Sequence, residues 1–452
     1  AESPEILTKL LASRFLAVSG SPGSGKTSVI NCIIIPGLTT MTGAGEKGVK
    51  VLYFCPGADP LANLVKVISP GLSAICSADE CSRLTRGIIS SDEGSAAKAL
   101  RKISGDGEKK LLVVADNFGD IFRSGVQPSS GEKQAQIRSL VNILTSAVSM
   151  ASPEVFVVIA MDAGQISCCS QFKALTRLIN NSNHVVPWLG PDYYREVAEK
   201  PVMKAGASID DELTSVLTAD AGEDPGTLPL LQHALMRTWE QWEQSGYHSN
   251  PLGMTDYRIA GRVGSSLSLH GDEIFSHLDD NEKQICEKLF KAITGKGNDN
   301  RAIRRPLSFS ALQTVTGCTA EELKAVTGRF SDPSVSFLTP GPEVVTGEDT
   351  IINLSYDCII NSWERLRNWV EEEAASVRVY MFLSEASALF QQGRAGLLEH
   401  PDLKAAIEWR NRYKPTLEWA QRYDPAFERA MVYLRTSEKE NHEKENRKYL
   451  LR

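Results

Sequence analysis

The sequence predicts an α/β protein: a parallel sheet in a phosphate-loop (P-loop) domain, then a helical lid, a winged helix and a C-terminal helical segment. Three observations carry the sheet. Continuous apolar runs recur as FLAVSG (15–20), VKVLYFC (49–55), KLLVVAD (110–116) and EVFVVIAM (154–161). Runs that are apolar throughout, rather than alternating, suit strands covered on both faces. Helical patterns separate them, clearest from Glu132 to Met150, and strand–helix alternation marks a parallel sheet. Between the first run and the next helix lies GSPGSGKT, Gly20 to Thr27.

The remaining elements follow in order. HVVPWL (184–189) reads as a fifth strand. From Pro191 to about Lys296 the pattern is helical, with Gly206 and Pro225-Gly226 punctuating helix ends. From Arg301 to Glu373 the order is helix, helix, strand, strand, helix. Ser310–Val315 and Ala320–Arg329 are the helices, and SFLTP and TIINLS the hairpin. That order resembles a winged helix. Residues 376–452 read as helical and end in SEKENHEKENRKYLLR, a solvated helix or linker. The expected domains are therefore 1–190, 191–300, 301–375 and 376–452. No internal repeat is visible.

Bulk properties exclude several classes. A net charge of −7 over 452 residues gives no global attraction to nucleic acid or anionic membranes. The longest apolar runs are far short of the roughly 20 residues of a membrane helix. The opening residues lack the basic, apolar pattern of a leader. Nine cysteines occur without a CxxC pair, and seven histidines without HxxxH or HExxH. Scattered thiols fit a reduced compartment, so a cytoplasmic location is expected, and a metal caged by protein side chains alone is not.

The stretch at Gly20 meets the spacing GxxxxGK[ST] at Gly20, Gly25, Lys26 and Thr27. In such a loop the backbone amides of Ser21, Pro22-flanked Gly23, Ser24 and their neighbours through Ser28 wrap a phosphate. Glycine permits the dihedrals and the close approach. The following helix aims its positive end at the same point. Lys26 would reach the phosphates, and the Thr27 hydroxyl would be a Mg²⁺ ligand. The alternative is a glycine-rich turn that matches by chance. Asp116, closing LLVVAD, is the candidate second carboxylate for the metal, or else a strand-ending Asp that caps the next turn. No [NT]KxD signature for guanine is present, which points to ATP/ADP with Mg²⁺.

Several collinear stretches resemble the STAND class of P-loop NTPases, in particular the novel STAND group. GSPGSGKTSVINCIIIPGL looks like its phosphate loop and helix. CPGADPLANL is similar to its second-strand motif, and ADNFGDIF to its DQFEELF stretch. PDYYREVAEKPVMKAG and PGTLPLLQHALMRTWE resemble its helical lid, and YDCIINSWERLRNWV the end of its winged helix. The resemblance covers about Phe15 to Val370. It implies a signal-transduction ATPase, closed with ADP, that opens and self-associates through the nucleotide domain in defence or stress signalling. Effector and sensor domains would lie outside this chain. It also implies that Pro229 packs near the adenine or ribose, although helix initiation alone accounts for a proline there. His233, on the same helix, reads as a surface or core residue.

Three departures weaken hydrolysis in this reading. DQFEELF carries two glutamates where this chain has Gly119 and Asp120, which leaves Asp120, one methylene shorter, as the catalytic carboxylate beside Asp116. The family's γ-phosphate-sensing arginine aligns with Asp162, an anion that would repel a triphosphate. The winged-helix histidine that contacts ADP aligns with Tyr356, which is uncharged at neutral pH. Arg83, Arg86 and Arg123 are candidates for an arginine acting in trans. Trp239/Trp242 and Trp363/Trp369 read as packing residues. Arg301, Arg304 and Arg305 read as a DNA-phosphate contact or a solvated edge. Two rival readings remain: an AAA+-like DNA-engaging ATPase, which the net charge disfavours, and a nucleotide-bound scaffold without turnover.

Overall fold

A computed structural model describes residues 3–41, 48–57, 59–105, 109–122, 131–152, 154–224, 226–246, 250–297, 300–341, 347–348 and 350–450. The chain divides into two compact units, Ala1–Ile259 and Ala260–Arg452.

The first unit is built on five parallel strands: β1 (Phe15–Gly20), β2 (Val49–Phe54), β3 (Lys110–Ala115), β4 (Val155–Asp162) and β5 (Asn183–Val185). Their order is β2-β3-β4-β1-β5, so β1 is flanked on both sides. The continuous apolar runs have the predicted cause. Residues at alternate positions enter separate cores, with Phe15, Ala17, Val113 and Val157 on one face and Leu16, Val18, Val114 and Val158 on the other. The first face is covered by the helices Pro60–Ser73, Ala78–Ile89, Glu93–Ile103 and Gly131–Val148. The second is covered partly by the helix Ser3–Ser13, through Ile6 and Leu10, which the sequence reading left without an element.

β5 is shorter than the predicted run. Val186 N still donates to Ser19 O at 2.7 Å, but the next residue, Pro187, has no N–H with which to continue the ladder. The helices Pro191–Lys204, Asp211–Ala221, Leu228–Ser245 and Met254–Ile259 complete this unit. Two of them carry proline in the first turn, where the missing N–H leaves no bond unmade. Trp242 is buried and Trp239 half-buried on the third of these helices, their rings 5.1 Å apart, which is the packing role expected of the pair.

In the second unit the helices Phe309–Thr316 and Ala320–Ser331 precede an antiparallel sheet in the order Leu307–Ser308, Ile351–Leu354, Leu338–Thr339. The first of these strands, two residues long, is too short to leave a pattern in the sequence. Thr319 and Glu322 cap the second helix reciprocally. Trp363 is fully buried, with the rings of Phe290, Phe330 and Phe337 at 5.1–5.8 Å. Gly271 is required beneath it, because a Cβ there would stand 2.7 Å from the indole. The 376–452 region is helical as predicted, in Glu364–Gln391, Asp402–Tyr413, Leu417–Ala420 and Phe427–Leu450.

Candidate functional site

The C-terminal ends of β1, β3 and β4 bring three chemistry-bearing groups together. β1 runs into the glycine-rich loop, which ends where a helix begins at Lys26. Gly23 and Gly25 adopt φ of 76° and 91°, the left-handed region that side chains disfavour. Gly20 is needed for another reason: a Cβ on it would lie 2.6 Å from Ser24 Oγ and 3.3 Å from Val186. The helix is α over Lys26–Val29, widens to a π turn over Ile30–Ile34 and returns to α over Ile35–Met41. Its buried residues Ile30, Ile34 and Leu38 dock it on the sheet.

Thr27 and Asp116 meet as the spacing predicts. Thr27 Oγ1 donates to Asp116 Oδ2 at 2.9 Å. Asp116 is buried, and its other oxygen accepts from the Asn117 amide at 2.8 Å, so the local turn-capping role and the juxtaposition with Thr27 coexist. Sequence reasoning missed Tyr53. Its hydroxyl donates to Asp116 Oδ2 at 2.5 Å from the end of β2, and burial together with the adjacent carboxylate pushes its pKa upward. Only the pairing of β2 with β3, at Phe54 and Ala115, reveals the contact, and no local motif encodes it.

Lys26 is buried. Its ammonium donates to Gly20 O at 3.2 Å, Ser21 O at 2.9 Å and Asp162 Oδ1 at 2.9 Å. The anion expected to repel phosphate is thus held by the cation expected to bind it. Ser24 Oγ is buried with no hydrogen-bond partner, and Ser21, Pro22, Thr27 and Ser28 are exposed. An orphaned hydroxyl, two left-handed glycines and open space above Gly25 fit a polyanion. The Thr27 hydroxyl beside the Asp116 carboxylate is a hard-oxygen pair suited to Mg²⁺.

Asp120 lies half-buried in a 3₁₀ turn, Phe118–Phe122, after β3. The space a side chain at Gly119 would occupy is filled by the carboxamide of Gln165, a group that cannot serve as a base at neutral pH. Pro229 comes to the loop: its ring lies 3.1–3.2 Å from the position of a Cβ on Gly23. His233, four residues on, is lowered to about 4 by burial and by Arg237, so it is neutral at pH 7. Arg83 and Arg86 are exposed on the helix Ala78–Ile89, and Arg123 lies outside the described residues.

In the second unit Tyr356 is half exposed at the joint between the last strand and the helix Cys358–Ser362. The neighbouring Asp357 is 2.6 Å from Arg304 Nε. Arg304 also donates to Leu354 O at 3.1 Å, and Arg305 is packed over the ring of Tyr423. Two of the three arginines in the basic cluster are therefore engaged within their own unit, which departs from the solvated-edge reading. Among the described residues no helix is long and apolar enough to cross a membrane, and no group of three or more His, Cys, Asp or Glu is placed to hold a metal ion.

The model of one protein family, described as Novel STAND NTPase 1, matches residues 1–396. No curated protein matches the chain. Among solved structures, the chain is similar to the ORC2 protein of Aeropyrum pernix in its ADPNP–ADP complexes, with 15% identity and a TM-score of 0.46 over 83% of this chain and 92% of that one. It is similar to CDC6P from Pyrobaculum aerophilum, with 11% identity and a TM-score of 0.38 over 82% and 93%. It is also similar to a Walker-type ATPase of Pyrococcus abyssi, with 10% identity and a TM-score of 0.34 over 80% and 94%.

Proposed function

The chain belongs to the novel STAND NTPase 1 family, and from that premise we propose that it is an adenine-nucleotide-dependent signalling switch with slow hydrolysis. The observation that supports this best is the convergence of Lys26, Thr27 and Asp116 on the bend at Gly20–Thr27. The loop amides and Lys26 bind the phosphates of ATP or ADP. Thr27 and Asp116 hold Mg²⁺, and Tyr53 keeps the Asp116 carboxylate oriented. The cation, when bound, neutralises charge developing on the phosphates. Pro229 closes the lid side of the site.

Hydrolysis is slow in this reading because the stabilisers of the transition state are weak. Gln165 fills the space beside Gly119, Asp120 is left as the available carboxylate, and Asp162 supplies negative charge near the loop. The helical lid and the winged helix of 301–375, with Tyr356 as a nucleotide contact, form the closed ADP state. Opening frees the nucleotide domain to self-associate and pass a defence or stress signal between a sensor and an effector carried on other segments, in the cytoplasm.

The test is the nucleotide itself. Purified protein is denatured and the released nucleotide identified, and Mg²⁺-dependent binding and self-association are compared with Lys26→Ala. Co-purifying ADP, lost in the variant, is the expected result. No adenine nucleotide in the native protein, no uptake from solution and no change on substituting Lys26 would end this reading.

A further inference from the structure

Gly20 and Asp162 are register partners at the ends of adjacent parallel strands, β1 and β4. The backbone ladder, rather than a long flexible arm, therefore fixes the Asp162 carboxylate beside the first residue of the loop. Asp162 also stands at the N-cap of the 3₁₀ segment Ala163–Gln171, where an aspartate ordinarily accepts from the turn's amides. Its side chain makes no such cap bond and goes to Lys26 instead. The two side chains are only 10% and 22% exposed, so their attraction is screened less than that of a surface pair.

An ammonium has three N–H donors, and in Lys26 all three have protein acceptors: Gly20 O, Ser21 O and Asp162 Oδ1. A phosphate oxygen that reaches Nζ must displace one of them. If it displaces Asp162, a fixed carboxylate is left beside the phosphate chain with its counter-ion withdrawn.

We infer that Asp162 is a built-in competitor of the nucleotide's phosphates at Lys26, a specificity residue that penalises ATP more than ADP. This rests on the reading of the loop as a nucleotide site. The penalty rises with the charge of the incoming chain, so a triphosphate suffers more than a diphosphate, and the loop favours the lower-charged ligand before any lid closes. The family's arginine position has become the source of an opposing charge, and ATP occupancy requires the Lys26–Asp162 pair to open.

The experiment measures dissociation constants for ATP and ADP, with and without Mg²⁺, by calorimetry on the full chain, the D162N and D162A variants and K26A. Thermal melts check that each variant is folded. In Asp162→Asn, ATP should tighten by about tenfold and ADP by about threefold or less, so the ATP/ADP ratio of Kd falls. Asp162→Ala should change the ratio in the same direction, which covers a failure of the asparagine variant to fold. A wild type that binds neither nucleotide, with gain of ATP binding in Asp162→Asn, would also support the inference. A wild type that binds nucleotide while the ratio is unchanged, or both affinities weaken equally in the folded variants, overturns it alone: Asp162 would then only hold Lys26 in place. No binding by wild type or variants overturns the nucleotide-site reading and this inference with it.

Discussion

The ring of Pro229 stands 3.1 Å from the point a Cβ on Gly23 would occupy, so the start of the helix Leu228–Ser245 rests against the apex of the glycine-rich bend. Gly23 has two reasons to be glycine, a φ of 76° and this contact. Gly23→Ala is expected to weaken ATP and ADP binding by about tenfold, combining a left-handed backbone penalty of about 1 kcal/mol with a displaced proline. Pro229→Ala separates its two roles. A change of less than about threefold in nucleotide Kd with a lowered melting temperature marks helix initiation, and a larger loss with the fold intact marks contact with the nucleotide.

Asp116 Oδ2 accepts from both Thr27 and Tyr53. Asp116→Asn should abolish the Mg²⁺ dependence of nucleotide binding while leaving Mg²⁺-free binding within about threefold, read by titration in EDTA and in magnesium. Tyr53→Phe should weaken only the Mg²⁺-dependent part, by about threefold to tenfold, because one buried hydrogen bond to a charged group is lost. Equal losses with and without magnesium in Tyr53→Phe would assign the tyrosine to packing alone.

His233 gives stability a pH signature. Its folded pKa of about 4 lies below the ordinary value of 6.5, so the unfolded chain binds the proton first. Above pH 6.5 there is no cost. Between 6.5 and 4 the folded state loses stability progressively, by about 2 kcal/mol at pH 5 as an upper estimate, and below 4 the loss is constant. Melting curves of His233→Gln should therefore fall less than those of the native chain between pH 7 and pH 5. Parallel decline in both would remove His233 from the account.

Glu373 is buried and its Oε1 accepts from Trp419 Nε1 at 2.8 Å and Tyr423 Oη at 2.7 Å. Glu373→Ala should lower stability in denaturant titration by about 2–4 kcal/mol, since two buried donors lose their acceptor, and Glu373→Gln by less, since an amide oxygen still accepts. Nucleotide affinity per folded molecule should not change.

The parts of the site that were legible in the sequence are those encoded within a few residues. The spacing from Gly20 to Thr27 specified the bend, and a run ending in Asp116 specified its partner, because parallel strands deliver their C-terminal ends to one edge. Tyr53 and Gln165 were not legible, since each acquires its place from a neighbouring strand or turn and neither belongs to a local pattern. Asp162 was legible as a misplaced charge but not as the partner of Lys26, which depends on strand register. In the fold, continuous apolar runs announced β1 to β4. The three residues of β5 and the two-residue strands of the second unit carry too few side chains to show a period.

The widened turn at Ile30–Ile34 makes this segment sensitive to length. In a regular α-helix, side chains four positions apart drift by about 40° at each step. Ile30, Ile34 and Leu38 nevertheless all bury completely, because a turn closed from Ile35 N to Ile30 O accommodates one extra residue. Substituting Cys32, which is exposed, leaves that phase untouched. Deleting it would rotate everything downstream by roughly 100°, swinging Leu38 off the sheet while Lys26 and Thr27 keep their places. A one-residue deletion in this helix is thus expected to unseat the core under the bend, where point changes at the same position are silent.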